Sequence, residues 1–258
     1  MDEPLVLQQR GDNGVVRLTL NRPAQFNALS KEMMMALHAA LDAVAADRTA
    51  RVVVIAAEGK AFCAGHDLKQ MRAHPQLDYY RDLFADCTRL MLRIQKVPQP
   101  VIARVHGIAT AAGCQLVAMC DLAVAAAGVK FGVNGINVGL FCSTPGVALS
   151  RNIGRKQAFE MLVTGEFIDA PTALARGLVN RVVAADALDA EIERVCQAIV
   201  TKPAVAIAMG KDLFYRQLES GIEAAYQLAG QTMACNMIDP VAQEGVDAFF
   251  AKRTPNWS

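Results

Sequence analysis

Two short stretches hold residues that do chemistry through the main chain rather than through a titrating side chain. "CAGHDLKQM", residues 63–71, and "GIATAAGCQLVAM", residues 107–119, each leave an apolar segment, pass through Gly and Ala, and enter a helix-like pattern. The first amides of a helix have no intrahelical acceptor and sit at its positive end. Small residues there let a ligand approach the backbone, and two such turns aimed at one oxygen would stabilise a carbonyl as it becomes an oxyanion. The same small residues also serve close strand–helix packing, and for either turn alone both readings stand. His66 is the one side chain near these turns that titrates near neutrality; its other reading is a surface or hydrogen-bonded loop histidine. Asp67 reads first as a helix cap. Cys114, and Cys142 beside Ser143, become nucleophiles only with a base nearby, and otherwise belong to core and loop. Asn134 and Asn137 either orient a water or a carbonyl, or form turns in a Gly/Asn-rich loop. His38, His74 and His106 make no triad by spacing.

The elements that must position these turns follow from periodicity. "LVLQQRGDNGVVRLTL" predicts a hairpin whose Asn13-Gly14 tolerates positive φ. Ser30 is a good N-cap for a helix that sets Met33, Met34, Leu37, Leu41 and Val44 on one face. "RVVVIAAEG" reads as a continuous apolar strand, residues 77–96 as a long helix, and "VPQPVIARVHG" as a return to strand. A helix over "TAAGCQLVAMC", a strand over "DLAVAAAG", a mainly helical stretch and a short strand at 179–183 come next. From Asp186 onward the pattern is helical with no convincing strand. Alternating strands and helices predict an α/β body over 1–185, and the terminal run predicts a helical annex over 186–258 that packs on the body or on a neighbouring subunit.

Composition excludes several classes of partner. The 258 residues are 53% hydrophobic and 20% charged, enough for a full core. A formal net charge of +1, from 26 basic and 25 acidic residues, offers no field for nucleic acid and no single-signed face for a membrane. Seven cysteines lie scattered at 63, 87, 114, 120, 142, 196 and 235 without CxxC or zinc spacing. They read as reduced core residues, with no metal site. "MDEPLVLQQR" has no signal-like apolar region and no apolar run reaches the spanning length, so the expected location is the cytoplasm.

"LNRPAQFNALS", "GKAFCAGHDLKQM", "PVIARVHGIATAAGCQLVAMCDLAVA", "FEMLVTGEFIDAPTALARGLVNRVV" and "DAFFAKRTPNW" resemble, in order, the enoyl-CoA hydratase/isomerase (crotonase) superfamily. "GHDL", "GCQL" and "NVGLFCSTPGVAL" are most similar to its enoyl-CoA hydratase domain-containing protein 3 branch. The resemblance implies a spiral of ββα turns with a C-terminal helical trimerisation region, homotrimers or hexamers, and a coenzyme A thioester as substrate with no permanently bound cofactor. By motif position the oxyanion donors are the backbone N–H groups of His66 and Ala112. Lys60, Ala64, Asp67 and Leu68 fall in the substrate-binding loop, and Phe249 with Lys252 resemble a pair that contacts CoA, often across a trimer interface. Ala24 stands where a basic residue is common, and Arg22 is the available substitute.

Hydration of an enoyl thioester needs one group to take a proton from water and another to deliver one to the α-carbon, work usually done by two carboxylates. By motif position these fall on Gln115 and Gly135, and neither can shuttle a proton. The expectation is therefore an acyl-CoA-binding, hydratase-like protein with both carboxylates replaced. The alternatives are another acyl-CoA reaction (isomerisation, thioester hydrolysis or decarboxylation) or a non-catalytic acyl-CoA-binding oligomer.

Overall fold

A computed structural model describes residues 3–257. The chain enters through the expected hairpin, β1 (Val6–Arg10) and β2 (Val15–Leu20), paired antiparallel, with Gly14 turning at φ 80. Helix α1 (Lys31–Ala46) starts where Ser30 accepts the Met33 amide and buries the five apolar residues of the predicted face.

Three ββα turns follow. Strand β3 (Val52–Ala57) leads to β4 (Ala61–Cys63), then α2 (Leu68–Ala73) and α3 (Leu77–Lys96). Strand β5 (Val101–Val105) leads to β6 (Ile108–Thr110) and α4 (Ala112–Met119). Strand β7 (Leu122–Ala126) leads to β8 (Lys130–Gly132), a 3-10 turn over Asn134–Val138 and α5 (Ser143–Asn152). The long strand of each turn joins one sheet, in the order β1-β2-β3-β5-β7-β10, and the short strand joins a second, β4-β6-β8-β9. Both sheets run parallel through the three turns. Helix α6 (Arg155–Thr164), β9 (Ile168–Asp169), α7 (Ala170–Arg176) and β10 (Arg181–Val183) close the spiral. The fold is α/β, a spiral of ββα turns with a C-terminal helical region.

The second sheet departs from the sequence reading. The sequence reading gives "AFC" no strand and puts 130–132 in a mainly helical stretch, yet both are three-residue strands. Runs this short show no period that could separate strand from loop. Their pairing comes from neighbours in space.

Apolar residues of both sheets and of α1, α3 and α4 form one core that includes Phe62, Phe131, Leu90 and Leu116. Helix α8 (Leu188–Val200) joins it through Leu188, Ile192, Val195 and Cys196. The last three helices do not. Helices α9 (Ala204–Leu218), α10 (Ile222–Met237) and α11 (Pro240–Phe250) bury fully only Ala225 and Ala248 between them. Helix α9 is tied to the body by buried polar contacts. The buried Lys211 ammonium donates to the carbonyls of Ile94 and Gln99 at 2.9 Å and to Asp121 at 2.6 Å, and Tyr215 donates to the other Asp121 oxygen at 2.6 Å. A buried ammonium tolerates loss of water only when its hydrogens are all satisfied, as these are. All seven cysteines are free thiols; six are buried as expected, whereas Cys235 on α10 is exposed.

Candidate functional site

The C-terminal ends of β4, β6 and β8 lie side by side because those strands are neighbours in the small sheet. Residues shortly after each strand therefore meet. Ala64 and His66, then Thr110, Ala111 and Ala112, then Asn134 and Gly135, line one cavity of about 390 Å³, closed by Leu68, Met71, Phe84 and the segment from Val138 to Pro145.

The first loop is held by α1's approach. Leu29 donates its amide to the Gly65 carbonyl at 2.7 Å, and its carbonyl accepts the Asp67 amide at 3.4 Å. In a parallel ladder the residue between two such bonds turns its own N–H and C=O the other way. His66 N–H is thus directed away from Leu29, and among the described residues no acceptor is recorded for it. Gly65, at φ 89, makes the turn.

The second loop reaches the same end by another route. Ala111 sits at φ 51, ψ −121, a positive-φ conformation that favours glycine. Its carbonyl accepts the Gln115 amide at 3.0 Å and so points into α4. Across the planar trans peptide, the Ala112 N–H must point the opposite way, out of the helix start. It too has no recorded acceptor among the described residues. The two loops touch through missing side chains: a Cβ on Gly65 would stand 3.2 Å from the Ala112 nitrogen, and one on Gly113 would stand 2.1 Å from the Cys63 carbonyl oxygen. Two free amides on adjoining loops, at the wall of a mostly apolar cavity, suit a carbonyl oxygen that gains charge.

The side chains are less reactive than their types suggest. Burial pushes the His66 pKa below the usual histidine range, against the opposing pull of the Leu29 carbonyl 3.4 Å from Nδ1. Its ring meets Phe84 edge-on at 5.5 Å, and Nε2 is buried without a partner. At neutral pH it is an uncharged imidazole. Asp67 is fully engaged. Its Oδ1 accepts the Lys69 and Gln70 amides at 3.0 and 3.1 Å, capping α2, and Oδ2 accepts from Arg22 at 2.8 Å. Burial would raise its pKa, but the Gln70 amide and the Arg22 guanidinium outweigh it and hold the carboxylate ionised. The cap reading of Asp67 therefore describes its contacts, and Arg22 spends its charge on that carboxylate.

Gln115 does not line the cavity. It is buried on α4, with its Oε1 4.0 Å from the Cys87 thiol. Gly135 does line it, and its φ is not positive, but a Cβ there would stand 2.5 Å from the Leu140 carbonyl oxygen and 2.8 Å from the Cys142 sulfur. A glutamate cannot be built at 135 unless the 139–142 segment moves. Burial pushes the Cys114 thiol up to about 12 and raises Cys142 as well, so both are protonated. Asn134 accepts from the Thr110 hydroxyl at 2.6 Å, whereas Asn137 is exposed and outside the lining. Lys60 is exposed on the turn before β4, and Leu68, 54% exposed, stands at the cavity mouth. Phe249 and Lys252 are not brought to this cavity within one chain; Phe249 lines a separate groove with Val241, Val246 and Trp257.

Sequence reasoning missed Met71, Phe84, Ala111, Val138, Leu140, Phe141 and Pro145. Leu140 and Phe141 carried a signal, two apolar residues in a Gly/Asn-rich loop with no periodic partner. Ala111 carried none, because its strain is a property of the loop pair.

Comparison with known proteins places the whole chain. The enoyl-CoA hydratase/isomerase family model matches residues 10–258. The chain is 46% identical to the mitochondrial enoyl-CoA hydratase domain-containing protein 3 of Xenopus laevis, over 98% of this chain and 85% of that protein. Among solved structures, an enoyl-CoA hydratase of Mycobacterium smegmatis superimposes with a TM-score of 0.98 at 67% identity, covering 99% of both chains. Human enoyl-CoA hydratase domain-containing protein 3 gives 0.95 at 42% identity, covering 98% of this chain and 100% of that one. With the spiral and the match extending over nearly its whole length, the chain belongs to the enoyl-CoA hydratase/isomerase (crotonase) family.

Proposed function

We propose that this protein binds an acyl-CoA thioester and holds its carbonyl oxygen between the backbone amides of His66 and Ala112. The observation that carries the reading is that both amides lack an acceptor among the described residues and adjoin the same cavity. In this reading the thioester oxygen accepts two hydrogen bonds that strengthen as it becomes enolate-like, the acyl chain lies against Met71, Phe84 and Leu140, and Lys60, Ala64 and Leu68 flank the CoA moiety. Mutants of one oxyanion-hole donor elsewhere lose about 10²–10³ in rate, so a pair is the main catalytic asset of such a site.

The name-giving reaction of the family, hydration, needs proton transfers that this cavity lacks carboxylates to perform: its described lining contains no Asp or Glu. That observation favours a second reading, in which the protein binds acyl-CoA without turnover or acts on a thioester that brings its own leaving group or base. The experiment is direct. Acyl-CoA at about 100 times its dissociation constant should stabilise the protein by about 2.7 kcal/mol, while crotonyl-CoA hydration should run at least about 10²-fold below that of a two-glutamate relative. No thermal shift with several acyl-CoA species rejects the binding reading, and hydration at the relative's rate rejects the second.

The reading includes assembly. Ile222, Tyr226, Phe249 and Phe250 are 76, 73, 78 and 78% exposed on the annex, an apolar surface that suits a homotrimer or hexamer in which Phe249 and Lys252 approach a neighbour's cavity. Sedimentation at micromolar concentration should give at least a trimer; a monomer removes Phe249 and Lys252 from the proposed site.

A further inference from the structure

Two half-buried polar side chains line the cavity beside the free amides, and the oxyanion hole uses neither. Thr110 ends β6, just before the Ala111–Ala112 turn, and Asn134 follows the end of β8. Neighbouring strands bring them together: Thr110 pairs in register with Gly132, and the Ala111 amide donates to the Gly132 carbonyl at 2.9 Å. The Thr110 hydroxyl donates to Asn134 Oδ1 at 2.6 Å, which fixes the plane of the amide. Asn134 Nδ2 then has no acceptor among the described residues, and it is not one of the buried atoms without a partner, so it stays open to solvent.

The pair presents a fixed combination to the cavity. The amide nitrogen offers N–H, and the Thr110 oxygen, its hydrogen committed to Asn134, offers a lone pair. Turning the amide over would exchange the roles and still leave one donor and one acceptor. Around them the lining is mostly apolar, and among the described residues it holds no Lys or Arg. An ionised carboxylate brought there would lack a cationic partner, and a plain hydrocarbon would strip water from two polar groups and replace it with nothing. A hydroxyl, which donates and accepts through one oxygen, satisfies both.

Resting on the acyl-CoA reading above, we propose that Thr110 and Asn134 determine specificity: they form a subsite for a hydroxyl on the acyl chain near the thioester, so that a hydroxyacyl-CoA binds in preference to its unsubstituted counterpart. The hydroxyl oxygen accepts from Asn134 Nδ2 and donates to Thr110 Oγ. Because Thr110 leads directly into the turn that carries the Ala112 donor, the subsite and the oxyanion hole hold two oxygens of one ligand at a fixed spacing. A fixed spacing and a fixed donor–acceptor order distinguish the two enantiomers of a β-hydroxyacyl group.

The test is isothermal titration calorimetry with each enantiomer of β-hydroxybutyryl-CoA, with butyryl-CoA as the plain chain and malonyl-CoA as the carboxylate. The wild type should bind one enantiomer about tenfold tighter than butyryl-CoA, the worth of one to two net hydrogen bonds. Asn134→Ala and Thr110→Val should each bring the two affinities within about threefold, and the double variant should go no further, because the two side chains act as a unit. Thr110→Ser, which keeps the hydroxyl, and Asn137→Ala, on an exposed residue outside the lining, should keep the preference. Should Asn134→Ala fail to fold, the contrast between Thr110→Val and Thr110→Ser carries the test. Equal wild-type affinity for hydroxylated and plain chains, the result expected if the pair only holds a water, overturns this inference and leaves the binding reading standing. A preference that survives both Asn134→Ala and Thr110→Val, or malonyl-CoA binding tighter than either enantiomer, also overturns it. No binding of any of the thioesters overturns the binding reading and this inference together.

Discussion

The two loops that present the free amides solve one problem in different ways. The loop after β4 uses glycine: Gly65 takes φ 89 without a steric cost, and the bridge to Leu29 fixes the direction of the His66 amide. The loop after β6 uses alanine: Ala111 is held at φ 51, where a Cβ costs about 1–3 kcal/mol, and the α4 hydrogen bond to its carbonyl fixes the Ala112 amide. One loop is relaxed and tethered from outside, and the other is strained and held by the helix it begins. The difference teaches that a backbone donor is aimed by what binds its neighbours, and that residue type at the donor itself matters little.

The largest effect should come from the contact that joins the loops. Gly113→Ala places a Cβ 2.1 Å from the Cys63 carbonyl oxygen, a backbone atom of the first loop that cannot rotate aside. Loss of about 3 kcal/mol or more is expected, at the upper end of overpacking, together with loss of acyl-CoA stabilisation in a thermal-shift assay. Wild-type behaviour would mean the loops are not rigidly coupled.

A middle-sized effect separates the loops by pH. Only the first carries a titrating ring, and burial depresses the His66 pKa in the folded state. Below the unfolded value near 6.5 the unfolded chain then binds more protons than the folded one, so folding stability falls as pH drops from 6.5 toward the depressed folded value. The contribution has a slope of at most about 1.4 kcal/mol per pH unit and is complete above pH 6.5. Urea unfolding between pH 7 and 5 should show a shallower decline for His66→Gln than for the wild type.

The smallest effect should mark the strained loop. Ala111→Gly relieves positive φ but adds unfolded-state freedom worth about 0.4–1 kcal/mol, so a net stabilisation of no more than about 2–3 kcal/mol is expected. Acyl-CoA affinity should stay within about threefold, since the α4 hydrogen bond still aims the Ala112 amide. A large fall in affinity would show that the alanine methyl, packed against Gly65, does part of the aiming.

Much of the fold was legible because it is periodic. The five buried residues of α1, the six of β3 and the amphipathic face of α3 are patterns that burial alone explains, and Ser30 and Asp67 announce their helices by capping. The small sheet was illegible, since β4, β6 and β8 have three residues each. Its absence from the sequence reading hid why residues near 65, 111 and 135 meet.

By itself the sequence determined the family, the two small-residue turns, the Asp67 cap and the lack of carboxylates at 115 and 135, because each is a matter of residue type at a fixed place in a motif. Only the tertiary structure decided the direction of the two amides, the strain at Ala111, the closure of the space beside Gly135 by Cys142, and the distance of Phe249 from the cavity of its own chain. Those depend on which strands are neighbours and where their ends converge. Residue type does not encode that; the packing of three successive ββα turns does.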